Sequence, residues 1–281
     1  MLKERFFYGL FALSALLSII AVLMICVFLF ANALPTISQI GFVEFIFGFD
    51  WYPSEELFGI FAMIIGSLYV SALAIFIGVP LGVLSAIYLS YFCHQRLKAF
   101  LIPAVELLGA IPSVVYGFFG LVIIVPFLSN LFDGTSGKSI LAASLVLAIM
   151  ILPTIILLSK SAIDALPKSY YEGALALGAS KERSVFFALV PAAKSGILAS
   201  VILGVGRAIG EAMAVIMVAG NQVQIPHSVT DGVRTLTTNI VLEMGYATDL
   251  HREVLIANAV VLFVFILIIN ASFNAIKKDK K

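Results

Sequence analysis

About six runs of apolar residues, each long enough to cross a lipid bilayer, constrain this chain more than any other feature. A spanning helix needs roughly 20 apolar residues, and runs of that order lie near 8–33, 60–91, 101–128, 140–163, 192–219 and 253–275. Little remains for a surface facing water. Hydrophobic residues make up 62% of the 281 and charged ones 12%, with a mean hydropathy of +1.12, whereas a soluble domain carries about 25% charged residues. These values exclude a soluble enzyme, a disordered chain and a nucleic-acid binder of the basic-patch kind. The net charge of +1 leaves any attraction for polyanions to local clusters. The expected fold class is an all-α polytopic membrane protein with six transmembrane helices.

The first run follows Lys3 and Arg5 and ends near Ala31-Asn32-Ala33, which imitates a secretory signal. Its apolar stretch exceeds the roughly 7–15 residues of a signal-peptide core, so it reads as a retained helix. Cys26 and Cys93 fall at different membrane depths and begin no C-x-x-C, and His94, His227 and His251 lack metal-ligand spacing. Orientation follows from the basic residues. With a cytoplasmic N-terminus, 13 of the 17 Lys and Arg lie inside: Lys3, Arg5, Arg96, Lys98, Lys160, Lys168, Lys181, Arg183, Lys194, Lys277, Lys278, Lys280 and Lys281. Lys138, Arg234 and Arg252 fall outside and Arg207 falls within a span. Both termini are therefore expected in the cytoplasm.

Three connections carry more than a turn. Residues 34–58 form an outer loop whose Phe42, Phe45, Phe47, Phe49, Trp51 and Tyr52 suit the lipid headgroup level. Residues 220–251 form a second outer loop, polar enough to be exposed. Residues 164–191 form an inner loop that is too polar to span yet rich in helix formers. Pro167 suits a helix start, Tyr170, Glu172, Ala174, Leu175, Ala176 and Leu177 continue it, and Gly178 stops it in left-handed geometry. Ser180 then caps a second helix over 181–190, with Glu182 favourable at its N-terminus. On the residues alone this helix–Gly–helix is either a cover over lipid or a docking element.

The stretch Glu172-Gly173-Ala174-Leu175-Ala176-Leu177-Gly178, with Leu189-Val190-Pro191 after it, resembles the EAA loop of ABC-importer permeases. Gly173, Ala188 and Val190 depart from the usual residues but keep the register. Glu106-Leu107-Leu108 with Ile111-Pro112-Ser113-Val114-Val115-Tyr116-Gly117, Arg207-Ala208-Ile209-Gly210-Glu211-Ala212-Met213-Ala214-Val215, and Thr235-Leu236-Thr237 are similar to segments of phosphate-specific permeases. The resemblance runs from about residue 51 to 270 and points to the C-type subunits, the PstC group, ahead of the PstA group. It implies a MetI-like five-helix core in residues 59–281 behind an added first helix and outer loop in 1–58. It further implies that Glu172, Ala174, Gly178 and Pro191 seat in an ATPase subunit.

Arg207 and Glu211 are four residues apart within the fifth run and are expected on one face of a helix. An unpaired charge there costs several kcal/mol, so they either pair to fix packing or face a passage. In the second reading Arg207 offers a forked donor matching phosphate oxygens and Glu211 holds or releases it. Glu106, near the inner end of the third run, is either interfacial or part of the same path. Gly206-x-x-x-Gly210 and Gly78-x-x-x-Gly82 permit close helix contact, and Pro80, Pro112, Pro126 and Pro153 kink or break spans. Gly134-Thr135-Ser136-Gly137-Lys138-Ser139 imitates a phosphate-cradling loop, but Phe132 stands where that motif needs glycine.

The chain is thus expected to be a transport subunit with no cofactor and no ATP site of its own. The implied partners are a PstA-type permease, two PstB-type ATPases that bind ATP and Mg, an extracytoplasmic phosphate-binding protein, membrane lipid and a phosphate-sensing regulator. A PstA-type subunit, a permease for another oxyanion and an autonomous secondary transporter are the alternatives; the last would not need the 164–191 loop.

Overall fold

The computed structural model describes residues 2–278, with side chains from 6 to 272. Of the basic residues used for orientation, Lys280 and Lys281 lie outside the described residues, as do the side chains of Lys3, Arg5, Lys277 and Lys278.

Helix α1 (Leu2–Ile40) is followed by the short α2 (Phe42–Phe47) and a hairpin of β1 (Trp51–Tyr52) and β2 (Leu57–Phe58), antiparallel with Trp51 opposite Phe58. Then come α3 (Phe61–Ile87), prolonged by a π turn at Tyr88–Phe92, and α4 (Gln95–Ala110). The next span is assembled from α5 (Ser113–Phe119), a π turn at Gly120–Ile124 and α6 (Val125–Leu131). Helix α7 (Ile140–Asp164) precedes the inner loop, which holds α8 (Lys168–Ala176), α9 (Lys181–Ser184), a π turn at Val185–Leu189 and α10 (Val190–Ala192). The chain closes with α11 (Lys194–Gly210), α12 (Met213–Val218), α13 (Leu236–Glu243) and α14 (Asp249–Lys278).

Five stretches are long and apolar enough to span singly: Phe6–Ile40, Phe61–Phe92, Ser113–Leu131, Ile140–Asp164 and Asp249–Ser272. Where a sixth was expected there is a bent pair, Lys181–Ala192 and Lys194–Gly210, meeting at 70°, of which the first belongs to the loop at 164–191. Two expected boundaries shift. The run at 101–128 is not one span, because Pro112 offers no N–H and pushes Ile111 into extended geometry (φ −66°, ψ 129°), which ends α4 before α5 begins. The outer loop expected from residue 34 starts later, since α1 continues through Pro35 to Ile40.

Helix α7 is the centre of the bundle. Ser139 caps it by accepting the Ala142 N–H at 3.2 Å, so the serine of the phosphate-loop look-alike is a helix cap; α6 stands where that motif needs a strand. Ser144, Met150, Ile151 and Ile155 on α7 are all fully buried. Close approach comes from glycine: a Cβ at Gly78 would meet Ile151 at 2.8 Å, one at Gly82 would meet Ile155 at 2.7 Å, and one at Gly204 on α11 would meet Ile155 at 2.8 Å. Without Cβ atoms there, α3 and α11 settle directly on the α7 isoleucines. Gly82→Leu is accordingly expected to destabilise the folded chain by about 1–3 kcal/mol, visible as a lower unfolding temperature in detergent. An unchanged temperature would mean that α3 and α7 do not pack in this register.

The N-terminal elements join the opposite flank. Ala33, Phe45, Trp51 and Phe58 form one apolar cluster with Met63 of α3, Leu236 of α13 and Val254, Leu255 and Ala257 of α14. Residues 6–25 of α1 are exposed throughout, and α1 meets the rest of the chain from Leu29 onward.

Candidate functional site

The sequence singled out an inner loop and a charged pair, and the structure treats them differently. In the inner loop, Pro167 precedes α8 in extended geometry (φ −56°, ψ 135°), and Gly178 follows the helix at φ +85°. Its N–H bonds the Leu175 carbonyl at 2.9 Å, and the Ala179 N–H bonds the Ala174 carbonyl at 3.1 Å. Those bonds satisfy the last carbonyls of α8 and need a left-handed residue. Ser180 caps α9, accepting the Arg183 N–H at 3.3 Å.

The loop is anchored at its base and open at its tip. Val185, Leu189 and Ala193 are buried with Ile87 of α3 and Ile163 of α7. Tyr91 and Tyr171 rings lie 5.2 Å apart, and the Lys181 ammonium stands 5.2 Å from the centre of the Phe92 ring. Glu172 and Pro191 are exposed, Ala174 is half-buried, and Leu177 is 91% exposed. A leucine left bare beside a glycine with nothing within 4 Å of its would-be Cβ is an apolar tip without a cover in this chain.

The charged pair is not a pair. Helix α11 ends at Gly210, and Glu211 lies in the extended break beyond it (φ −74°, ψ 131°), so the expected shared helical face is lost. Among the described residues no ion pair joins Arg207 to Glu211. The reason is local competition for the carboxylate. Glu211 Oε1 accepts the Ala214 N–H at 3.1 Å, which caps α12, while its carbonyl accepts the Thr237 hydroxyl at 2.8 Å. A carboxylate at a helix start is favoured by the helix dipole. Arg207, in the last turn of α11, has a single long contact, NH1 to Thr154 Oγ1 at 3.4 Å. Both side chains are half-buried. A Cβ at Gly206 or Gly210 would meet nothing within 4 Å, so these glycines make no close helix contact among the described residues of this chain, and the flank beside Arg207 is open here. Glu106 is exposed on α4 and bonds neither Arg207 nor Glu211.

A second buried centre escaped the sequence. Helix α13, inside the outer loop expected to be exposed, has Leu236, Thr237, Thr238, Asn239 and Glu243 buried. Glu243 Oε1 accepts Arg234 NH1 at 2.6 Å, and its Oε2 accepts Trp51 Nε1 at 2.9 Å and lies 2.8 Å from His251 Nε2. The lone tryptophan and Arg234, one of the three outer-side basic residues, were the available signal.

Broken spans around a glycine-packed bundle, with a helix–Gly–helix arm on one side, leave the family to be decided. A family model described as binding-protein-dependent transport system inner membrane component matches residues 78–281. The chain belongs to that family. It is a multi-pass permease component of the ABC-importer class. The permease YqgH of Bacillus subtilis, described as a probable ABC transporter permease protein, is 40% identical over 265 residues, covering 91% of this chain and 86% of that one. The phosphate transport system permease protein PstC of Haemophilus influenzae is 34% identical over 280 residues (93% and 89%), and that of Mesorhizobium japonicum is 33% identical over 290 (96% and 88%). Among solved structures, a bacterial ABC transporter importing alginate matches with a TM-score of 0.66 at 15% identity, covering 96% of each chain. The MetNI methionine transporter matches at 0.61 and 19% identity, covering 81% of this chain and 97% of that one. At such identities the structural matches speak for the MetI-like permease fold alone.

Proposed function

We propose that this permease passes inorganic phosphate from outside into the cytoplasm as the C-type subunit of an ABC importer. Its companions are a PstA-type permease, two PstB-type ATPases that bind ATP and magnesium, and an extracytoplasmic phosphate-binding protein. The observation that carries the reading is Arg207: a half-buried guanidinium at a helix break, with an open flank and no carboxylate partner among the described residues. A planar fork of donors left over at membrane depth suits a tetrahedral oxyanion. Relatives named as phosphate permeases support the choice of anion. The apolar, uncovered tip around Leu177 and Gly178 supports docking of an ATPase on the inner face.

The test is uptake by the purified complex in liposomes. Radiolabelled phosphate should accumulate only with ATP on the ATPase side and the loaded binding protein on the other. Accumulation driven by a proton gradient without the ATPase would overturn the proposal, and equal competition by sulfate would overturn the choice of anion. Orientation is checked separately in a cysteine-free background. Both Lys138 and Lys181 are exposed, so cysteine at 138 should react from outside intact cells and cysteine at 181 only after permeabilisation. The reverse pattern would invert the permease.

A further inference from the structure

Helix α13 is held at both ends by side-chain hydrogen bonds, and the two ends belong to different parts of the molecule. At its start, the Leu236 N–H donates to Ser67 Oγ on α3 at 2.9 Å, and the Thr237 hydroxyl donates to the Glu211 carbonyl at 2.8 Å. The second bond grips the break between α11 and α12 directly. At its end, Glu243 gathers Trp51 from the outer hairpin, His251 from the start of α14 and Arg234 from the preceding loop. Arg234 spreads the hold further, with Nε on the Asn221 carbonyl at 3.1 Å and NH1 on Asn239 Oδ1 at 3.1 Å.

The physical consequence is leverage. Thr237 and Glu243 are six residues apart, about 9 Å along a helix axis, and a hydrogen-bonded helix does not shorten. Glu243 is 6% exposed, so its bonds act in a low-dielectric setting where they are strong and where breaking one is costly. Cavities of about 520 and 320 Å³ flank Glu243 on the hairpin side, lined by Glu56, Tyr246 and Asp249 in one and by Asp50, Tyr52 and Val223 in the other. Trp51 and Phe58 of the hairpin are buried against Leu236 of α13, so hairpin and strut share one packed face beside these cavities.

We propose that α13 transmits the position of the outer hairpin to the break between Arg207 and Ala212, with Thr237 and Glu243 as positioning residues at its two ends. Loading of the hairpin from outside shifts Glu243, α13 moves as a body, and the Glu211 carbonyl follows Thr237. The Glu211 carboxylate, which caps α12, is carried with it. This rests on the reading of the break as part of the phosphate path, and the experiment separates the two.

Hydrogen exchange of the backbone amides is measured on the assembled complex in nanodiscs. Glu243→Gln should speed exchange across residues 211–218 by about tenfold, although the change lies far away in sequence. Thr237→Val, which removes the hydroxyl and keeps the shape, should do the same, while Thr237→Ser should match the wild type. The double change should add little to either single one, because both cut the same connection. Trp51→Phe, which removes one donor and keeps the packing, supplies the outer-end test if Glu243→Gln does not assemble. Exchange that rises only within 234–251 and leaves 211–218 unchanged would overturn the proposal. If exchange is coupled in this way while Arg207 proves dispensable for phosphate, the strut stands and the path assignment falls.

Discussion

Arg207→Gln is expected to leave the complex assembled and to lower phosphate uptake roughly 10- to 100-fold, the worth of one or two charge-assisted hydrogen bonds. Assembly should survive because Arg207 contributes no ion pair among the described residues and only a 3.4 Å contact to Thr154. Arg207→Lys keeps the charge and loses the fork, and should retain an intermediate rate. The double change Arg207→Gln with Glu211→Gln is the decisive control. Glu211 spends its carboxylate on the α12 amide rather than on Arg207, so neutralising it should rescue nothing. Wild-type uptake by the double variant would show the two charges to be mutual compensation and would remove Arg207 from the path.

Gly178→Val is expected to give a permease that reaches the membrane yet fails to retain its ATPase or to import. The residue stands at φ +85° with open space where a Cβ would go, so a side chain meets no neighbour in this chain. The cost is backbone strain, about 1–3 kcal/mol for a residue forced into a sparsely populated region and worst when β-branched. That strain unwinds the end of α8 where the Leu175 and Ala174 carbonyls are now satisfied. Gly178→Asn tolerates the same φ and should keep most of the uptake. Gly173→Ala, another glycine with nothing within 4 Å of its would-be Cβ, should be harmless. Copurification of the ATPase with each variant checks the order. Normal import by Gly178→Val would remove the loop from the docking site.

The spans and the inner loop were legible in the sequence because their causes are local. Hydrophobic run length sets the first, and the Pro167, Gly178 and Ser180 punctuation sets the second. The break at Glu211 was not legible, since Arg207-x-x-x-Glu211 in an apolar run reads as continuous helix. What ends α11 is the Thr237 hydroxyl, 26 positions away, together with a carboxylate that prefers the Ala214 amide. Helix α13 was invisible for a related reason. Thr235, Thr237, Thr238, Asn239 and Glu243 have the composition of an exposed loop, but Thr235 and Thr238 form a capping box and Glu243 finds three donors inside the fold. Polar residues that are buried and, Asn239 Nδ2 apart, hydrogen-bonded look, in sequence, like polar residues in water. The third span shows the intermediate case, where Pro112 announced an interruption but not that α4 would become a separate helix.

The π turn at Tyr88–Phe92 gives the second long helix two unrelated faces. A π turn holds one residue more than an α turn, which rotates everything beyond it by about 100° relative to an unbroken helix. Below the turn, Gly78 and Gly82 face the isoleucines of α7. Within the turn itself, Tyr91 meets Tyr171, and Phe92 stacks on Phe186 at 6.4 Å between ring centres. A single helical wheel drawn through Phe61–Phe92 would therefore misalign its aromatic end. The same surplus residue in Val185–Leu189 buries Val185 and Leu189 while Phe186 and Phe187 remain exposed. Angular register must be counted afresh from each of these turns, and a one-residue deletion inside either would spin the 164–191 arm against the bundle instead of shortening it.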